Sequence, residues 1–274
     1  MLSFIKYASA GRSYLLYAGE DALPRGLCAA LCHPVTGVGA SGVLTVCEAE
    51  RADGCVGCHL PDGEHTAPDT AALSCAAKYL YDSARVNRTE LCLSFSGGSR
   101  RMTLESYGGV ARCVRAELGY PVLDGASIPC RYPRLTRGRP VILGGSAYSL
   151  TCLRIGSPFA CLTGEAAPPP DALAPLQRDF PSGVTVLYTE RAGDALVGEV
   201  LLSLPSHVCH ERCACALAVA NAIEGRAPFE APLSVTVGGE CFSLSLSTRL
   251  AMSLCLPVRE VCRCQIDAEE LCLP

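Results

Sequence analysis

The chain lacks three things that would each have settled its class. It contains no uninterrupted span of about twenty apolar residues, which excludes a membrane-crossing helix of ordinary length. It contains no long run of either charge: 23 basic and 27 acidic residues are interspersed over 274 positions, so no electrostatic footprint for nucleic acid or an anionic membrane surface is present. It also has no tryptophan, yet 49% of its residues are hydrophobic and its mean hydropathy is +0.27. That is enough apolar material for a sizeable core, and the length suits roughly two domains. A small-molecule or protein partner is the expectation that remains.

The opening MLSFIKYASAGRSYLLYAGED is interrupted by Lys6 and Arg12 and has no apolar region flanked by basic residues, so it is read as the first strand of a cytoplasmic protein. Nineteen cysteines would suit a disulfide scaffold in a short secreted chain. Here they are scattered through strand and helix patterns, and most are expected to be reduced, buried small hydrophobes. The sequon Asn87-Arg88-Thr89 is read as a chance match.

Short alternating or apolar runs, among them GVLTVCEA, GCVGCHL, ELCLSF, PVILGG and YSLTCLRIG, are punctuated by Gly, Pro, Asp and Ser, which predicts a strand-rich protein. Two Ala-rich segments, 69–84 and 210–225, carry apolar residues at i, i+3, i+4 and i+7 without proline and predict two long helices. A third, shorter helix is predicted over PRGLCAALCH with Pro24 near its first turn. GEAAPPPDALAP is too stiff and too poor in donors for a central strand and is predicted to be a surface loop. Each long helix sits late in a run of strands, the pattern of a duplicated unit. The expected division is 1–117, completed by 256–274, and 118–255.

With these elements in place the chain resembles diaminopimelate epimerase. FIKYASAGRSYLLY is similar to that family's first strand, GVGASGVLTV to its glycine-rich turn, and ERADGCVGCHLPDG to the strand ending in a DG turn. VRAELGYPVLDGASIP, LTCLRIGSPFACL and FPSGVTVLYTE follow in family order. The resemblance implies an α+β architecture of two pseudo-symmetric lobes, each a curved, mostly antiparallel sheet around a central helix, with a substrate cleft between them. It implies no cofactor, a small carboxylate substrate and a homodimer, although no long exposed apolar stripe requires pairing.

The family moves a proton with two cysteines, each at the N-terminus of a central helix whose dipole stabilises the thiolate. Registering its motifs on Cys75 and Cys215 puts Asp69 and His210 in the two proton-transfer positions. Where the family has substrate-binding asparagines and helix-start glycines, this chain has Arg12, Thr70, Ala71, Ser157, Thr185, Glu211 and Arg212, and Leu201 and Leu202 replace a Glu-Arg pair. Glycines at a helix start let backbone N–H groups approach a carboxylate, so these replacements argue against a two-thiol diaminopimelate epimerase.

Two roles stay open for Asp69 and His210. A carboxylate and an imidazole can exchange a proton at an activated carbon. Asp before TAAL is also a good N-cap, and His210 can be a solvent-exposed first-turn residue. Arg12, Glu211 and Arg212 can gather an anionic ligand or form a solvated face. Cys55 and Cys58 with His59 have zinc-knuckle spacing, but strand geometry points them to opposite faces. Cys209 and Cys213, one helical turn apart beside His207 and His210, make a better soft-metal patch, set against plain helix packing. No metal is expected. The chain is thus expected to be either a divergent cofactor-independent isomerase, with Asp69 and His210 as acid and base, or a catalytically inactive homologue that binds a metabolite or protein.

Overall fold

A computed structural model describes every residue except 18, 20–22, 129, 132–135, 205–208, 268–270 and 272–274. The predicted metal candidate His207 lies outside the described residues. In chain order the elements are β1 (Leu2–Ser9), β2 (Arg12–Tyr17), α1 (Arg25–Cys32), β3 (Gly42–Cys47), β4 (Gly54–His59), β5 (His65–Thr66), α2 (Thr70–Asp82), β6 (Glu90–Phe95), β7 (Gly98–Tyr107) and β8 (Val110–Gly119). There follow β9 (Arg139–Leu143), β10 (Ser146–Ile155), β11 (Ser157–Thr163), α3 (Ala174–Asp179), β12 (Thr185–Ala192), β13 (Ala195–Leu202), α4 (His210–Ile223), β14 (Leu233–Val237), β15 (Glu240–Leu246) and β16 (Met252–Ile266). Among the described residues no helix is long and apolar enough to cross a membrane. Two compact units emerge, 1–117 with 255–274, and 118–254.

In the first unit the strand order is β1-β2-β3-β4-β6-β7-β8-β16, and β16 pairs back onto β1, closing a barrel of eight strands. Closure leaves no exposed edge, which protects long strands from pairing with other chains. Most neighbours are antiparallel, but β2 and β3 run parallel, as do β4 and β6. Parallel neighbours cannot be joined by a hairpin and need a crossover. The chain supplies α1 for one crossover and α2 for the other.

The second unit repeats the pattern of pairings. Its strands β9 to β15 lie side by side in chain order, with β11 parallel to β12 and β13 parallel to β14. Here α4 makes the crossover from β13 to β14, and the Pro-rich segment lies on the crossover from β11 to β12. That segment departs from the predicted loop. Pro170–Leu173 forms a 3-10 turn leading into α3, and Leu173 and Leu176 are buried in a cluster with Phe180, Val184 and Tyr188. Prolines are tolerated in a first helical turn, and a crossover between buried parallel strands needs an apolar face of its own.

The long helices form where the Ala-rich periodicity places them. In α2 every residue from Thr70 to Leu80 is buried, and the helix packs on β1, β2, β3, β4, β6 and β7. Small side chains such as Ala72, Ala76 and Ala77 allow strands to approach from all sides, as an all-round apolar helix requires. Lys78 is buried with it, its Nζ donating to Asp82 and to the carbonyl of Ala111, each at 2.6 Å, which satisfies the charge. In the second unit α4 is buried from Cys213 to Ala222 and packs on β10 to β15.

Half of the sixteen described free cysteines are buried, Cys75, Cys161 and Cys215 among them. Cys113 of β8 and Cys255 of β16, by contrast, form a disulfide within the first unit. On β4, burial alternates residue by residue, so Cys55 and Cys58 face opposite sides and do not share an ion.

Candidate functional site

The first turn of α2 is organised by Asp69. Its extended backbone (φ −77°, ψ 178°) places it at the N-cap, and Oδ1 accepts the Ala72 N–H at 2.7 Å. Oδ2 accepts two further hydrogen bonds, from the Arg12 guanidinium at 2.6 Å and the Tyr14 hydroxyl at 2.8 Å. Arg12 and Tyr14 occupy β2, on which α2 packs. Burial, and then the Asp69 charge, pushes the Tyr14 phenol far above its ordinary value, so Tyr14 is a permanent donor. Thr70 is buried, and its hydroxyl accepts from Arg100 on β7 at 2.8 Å; Ala71 is buried beside it. Sequence reasoning named Asp69, Arg12, Thr70 and Ala71 but missed Tyr14 and Arg100. Tyr14 reads simply as a strand aromatic, and only the β2 register aims its hydroxyl at the helix start.

Behind this cap, thiols are held protonated. Burial, followed by the Asp69 charge, raises Cys75 well above the usual thiol value and Cys58 to about 12. Neither is a ready nucleophile.

The start of α4 differs. Its N-cap position is held by Cys209, with no side-chain capping hydrogen bond. Registration on Cys215 singled out His210, whereas the residue at the N-cap, the position Asp69 holds on α2, is this neighbouring thiol. His210 is the first helical residue. Its Nδ1 lies 3.3 Å from Glu240 Oε2, with both side chains about one-third exposed (31% and 29%). The ring rests on the β14–β15 turn: a Cβ on Gly238, whose φ is +60°, would fall 2.3 Å from His210 Cε1. A glycine is therefore required there on two grounds, its left-handed backbone and the imidazole above it.

Arg212 is exposed, and its guanidinium lies against Gly156: a Cβ there would come within 3.0 Å of Nη1. That places Arg212 beside the start of β11 and Ser157. Among the described residues Arg212 makes no ion pair. Thr185 is buried at the start of β12, and Glu211 is half-buried in the first turn of α4. Glu240 is the residue missed here; thirty positions from His210, it carries no local signal. Burial, then Cys209, raises Cys213 to about 12, so Cys213 serves as packing. Among the described residues the α4 start brings no three metal-ligating atoms together. The group that does meet, Glu105 with Cys113 and Cys255, is occupied by the disulfide and by Arg115, 3.1 Å from Glu105.

Several proteins of known structure share this fold. The chain superposes on a methylitaconate-delta-isomerase with a TM-score of 0.66 at 9% identity, covering 100% of this chain and 97% of the other. It superposes on an Agrobacterium vitis hydroxyproline epimerase with bound trans-4-hydroxy-L-proline at a TM-score of 0.59 and 14% identity, covering 97% and 90%. A phenazine biosynthesis protein of the PhzF family from Enterococcus faecalis gives 0.59 and 14%, covering 96% and 97%. At such identities the likeness is one of fold.

In sequence the chain is similar to diaminopimelate epimerases. It is 24% identical to that of Bacillus licheniformis over 274 residues, 94% of this chain and 96% of the relative. It is 31% identical to that of Pelotomaculum thermopropionicum over 138 residues, 50% of this chain. In the matches to the Acetivibrio thermocellus and Pelotomaculum proteins the chain spans about half the length of the relative, 45% and 49%. No family-wide sequence profile matches the chain.

Proposed function

We propose that this protein is a cofactor-independent isomerase of the racemase or epimerase kind, moving a proton at an activated carbon of a small amino-acid-like carboxylate by chemistry other than a pair of thiols. The observation that carries the proposal is the His210–Glu240 contact of 3.3 Å at the start of α4. A carboxylate on Nδ1 selects the tautomer with Nδ1–H and leaves the Nε2 lone pair as the base, the logic by which a buried acid orients a histidine in hydrolytic triads. The first-turn amides of α4, which the Cys209 side chain does not cap, and the Arg212 guanidinium offer donors to the substrate carboxylate, with Ser157, Thr185 and Glu211 as further contacts. Asp69 takes the second proton-transfer role, held by Arg12 and Tyr14, with Thr70 and Ala71 beside it. The matching order of parallel and antiparallel pairs in the two units supports reading them as pseudo-symmetric lobes, each with its sheet curved around its long helix.

Solvent deuterium incorporation into a panel of amino and hydroxy acids tests this proposal. Exchange in the wild type that falls at least a hundredfold in His210→Ala and in Asp69→Asn is the expected result. Exchange that survives in His210→Ala but is lost in Cys209→Ser would move the base to the thiol. Equal exchange in the wild type and the first two variants would remove the proposal.

A second reading, a non-catalytic binding homologue, draws on one observation. The Asp69 carboxylate accepts three hydrogen bonds from its own chain, so capping alone accounts for it. Absence of exchange from every substrate, together with saturable binding of a carboxylate that weakens in Arg212→Ala, would favour that reading.

A further inference from the structure

The opposite end of α4 carries a second polar cleft that the proposed chemistry does not use. The helix has 14 residues at ~1.5 Å each, so this end lies about 20 Å from His210. The cleft has a volume of about 660 Å3 and is lined by Ser146, Tyr148 and Ser149 of β10, Thr163 of β11, Glu165 and Arg226. That size suits a small ligand.

Its floor is built. Glu224, the C-cap of α4, has a side chain only 7% exposed. It accepts from the Thr151 hydroxyl at 2.6 Å and the Thr163 hydroxyl at 3.0 Å, while the Thr151 oxygen itself accepts the Gly138 N–H at 2.9 Å. A carboxylate at a helix C-terminus is opposed by the helix dipole, so this one needs a cation. Arg226 supplies it loosely, its Nε standing 3.6 Å from Glu224 Oε2. The two terminal nitrogens of Arg226 make no hydrogen bond among the described residues, and the side chain is 46% exposed.

The wall is polar and uncommitted. Among the described residues the Glu165 carboxylate has no ion-pair partner, and the Ser146, Ser149 and Tyr148 hydroxyls have no hydrogen-bond partner. The Tyr148 ring is pressed onto the Gly164 backbone, where a Cβ would come within 2.6 Å of it, and the Gly164 carbonyl is fixed by the Tyr188 hydroxyl at 3.1 Å. The hydroxyl of Tyr148 is thereby held in place while its oxygen stays open. Two carboxylates and the negative end of α4 outweigh one guanidinium. A simple anion is therefore disfavoured, whereas a ligand bearing both a carboxylate and an ammonium matches both charges.

We propose that this cleft is a second ligand site for a small zwitterion of the α-amino-acid class, its carboxylate on the terminal nitrogens of Arg226 and its ammonium toward Glu165. The site is independent of the reading of the α4 start. Titration calorimetry of the full chain tests it, with L-alanine, inorganic phosphate and ethylamine as probes. The expected result is L-alanine binding that weakens at least tenfold in both Glu165→Gln and Arg226→Gln and is unchanged in His210→Ala, with phosphate and ethylamine each at least tenfold weaker. Glu165 is exposed, so its variant keeps the fold even where Arg226→Gln loosens Glu224, and thermal melts distinguish the two cases. The proposal is overturned by no measurable binding of L-alanine, by binding that is lost in His210→Ala, by phosphate binding as tightly as L-alanine, or by binding indifferent to Glu165→Gln.

Discussion

At the start of α2 an amide, a guanidinium and a phenol converge on one carboxylate, Asp69, whereas α4 starts at Cys209 with no side-chain cap and pairs its first residue, His210, with Glu240. Both helices are buried crossovers between parallel strands, so packing does not explain the difference. At the first start the chain itself supplies three donors to the carboxylate. The second lacks a side-chain cap from its N-cap residue and carries an arginine that makes no ion pair among the described residues, so it forgoes the stability such a cap provides. The contrast makes the α4 start the better place to look for substrate.

The largest test of this contrast is Asp69→Ala. It removes an N-cap, worth roughly 1 kcal/mol, and takes the acceptor from the buried Tyr14 hydroxyl, adding about 1–2 kcal/mol. The ion pair itself contributes little because Arg12 is 44% exposed. A loss of about 2–3 kcal/mol is expected in urea denaturation, and a loss below about 0.5 kcal/mol would mean that the α2 start is not held by this residue. Gly238→Ala comes next. Strain at its positive φ costs roughly 1–2 kcal/mol, and the new methyl displaces the His210 ring, so deuterium exchange should fall further than the melting temperature suggests.

Cys209→Asp gives α4 the cap that α2 has. It should stabilise the protein by about 1 kcal/mol while depressing exchange and carboxylate binding, because the new carboxylate competes with substrate for the first-turn amides. Stabilisation without any loss of exchange would place the reaction elsewhere. The smallest effect lies in alkali. Burial raises Cys58 and Cys213, behind the two starts, to about 12 from an ordinary value of 9.0. Their protonated form favours the folded state, so that stabilisation is complete below pH 9 and is lost as pH rises from there through about 12. Cys213→Ala should move the midpoint of alkaline unfolding, followed by circular dichroism, to higher pH.

The Ala-rich helices were legible because their signal is local: small and apolar residues at helical spacing suffice, and α2 and α4 form within the predicted segments. The strand-rich character and the opposed faces of Cys55 and Cys58 were legible for the same reason, since period-two alternation is a property of neighbours. The Pro-rich segment was misread because its apolar residues, Leu173 and Leu176, acquire a purpose only when β11 and β12 become parallel neighbours that require a covered crossover. At the candidate site, Asp69 was visible as a cap, but its partners Tyr14 and Arg12 are more than fifty positions away. Glu240 could not be linked to His210 before β15 was placed beside β14.

What the sequence by itself determined is therefore the set of elements and the residues at the two helix starts, because both follow from interactions spanning a few positions. Which of those residues are satisfied and which remain open was decided only by the tertiary structure. Strand register brings distant side chains within hydrogen-bonding distance, and a carboxylate that meets its own chain's arginine is a different chemical object from one that does not.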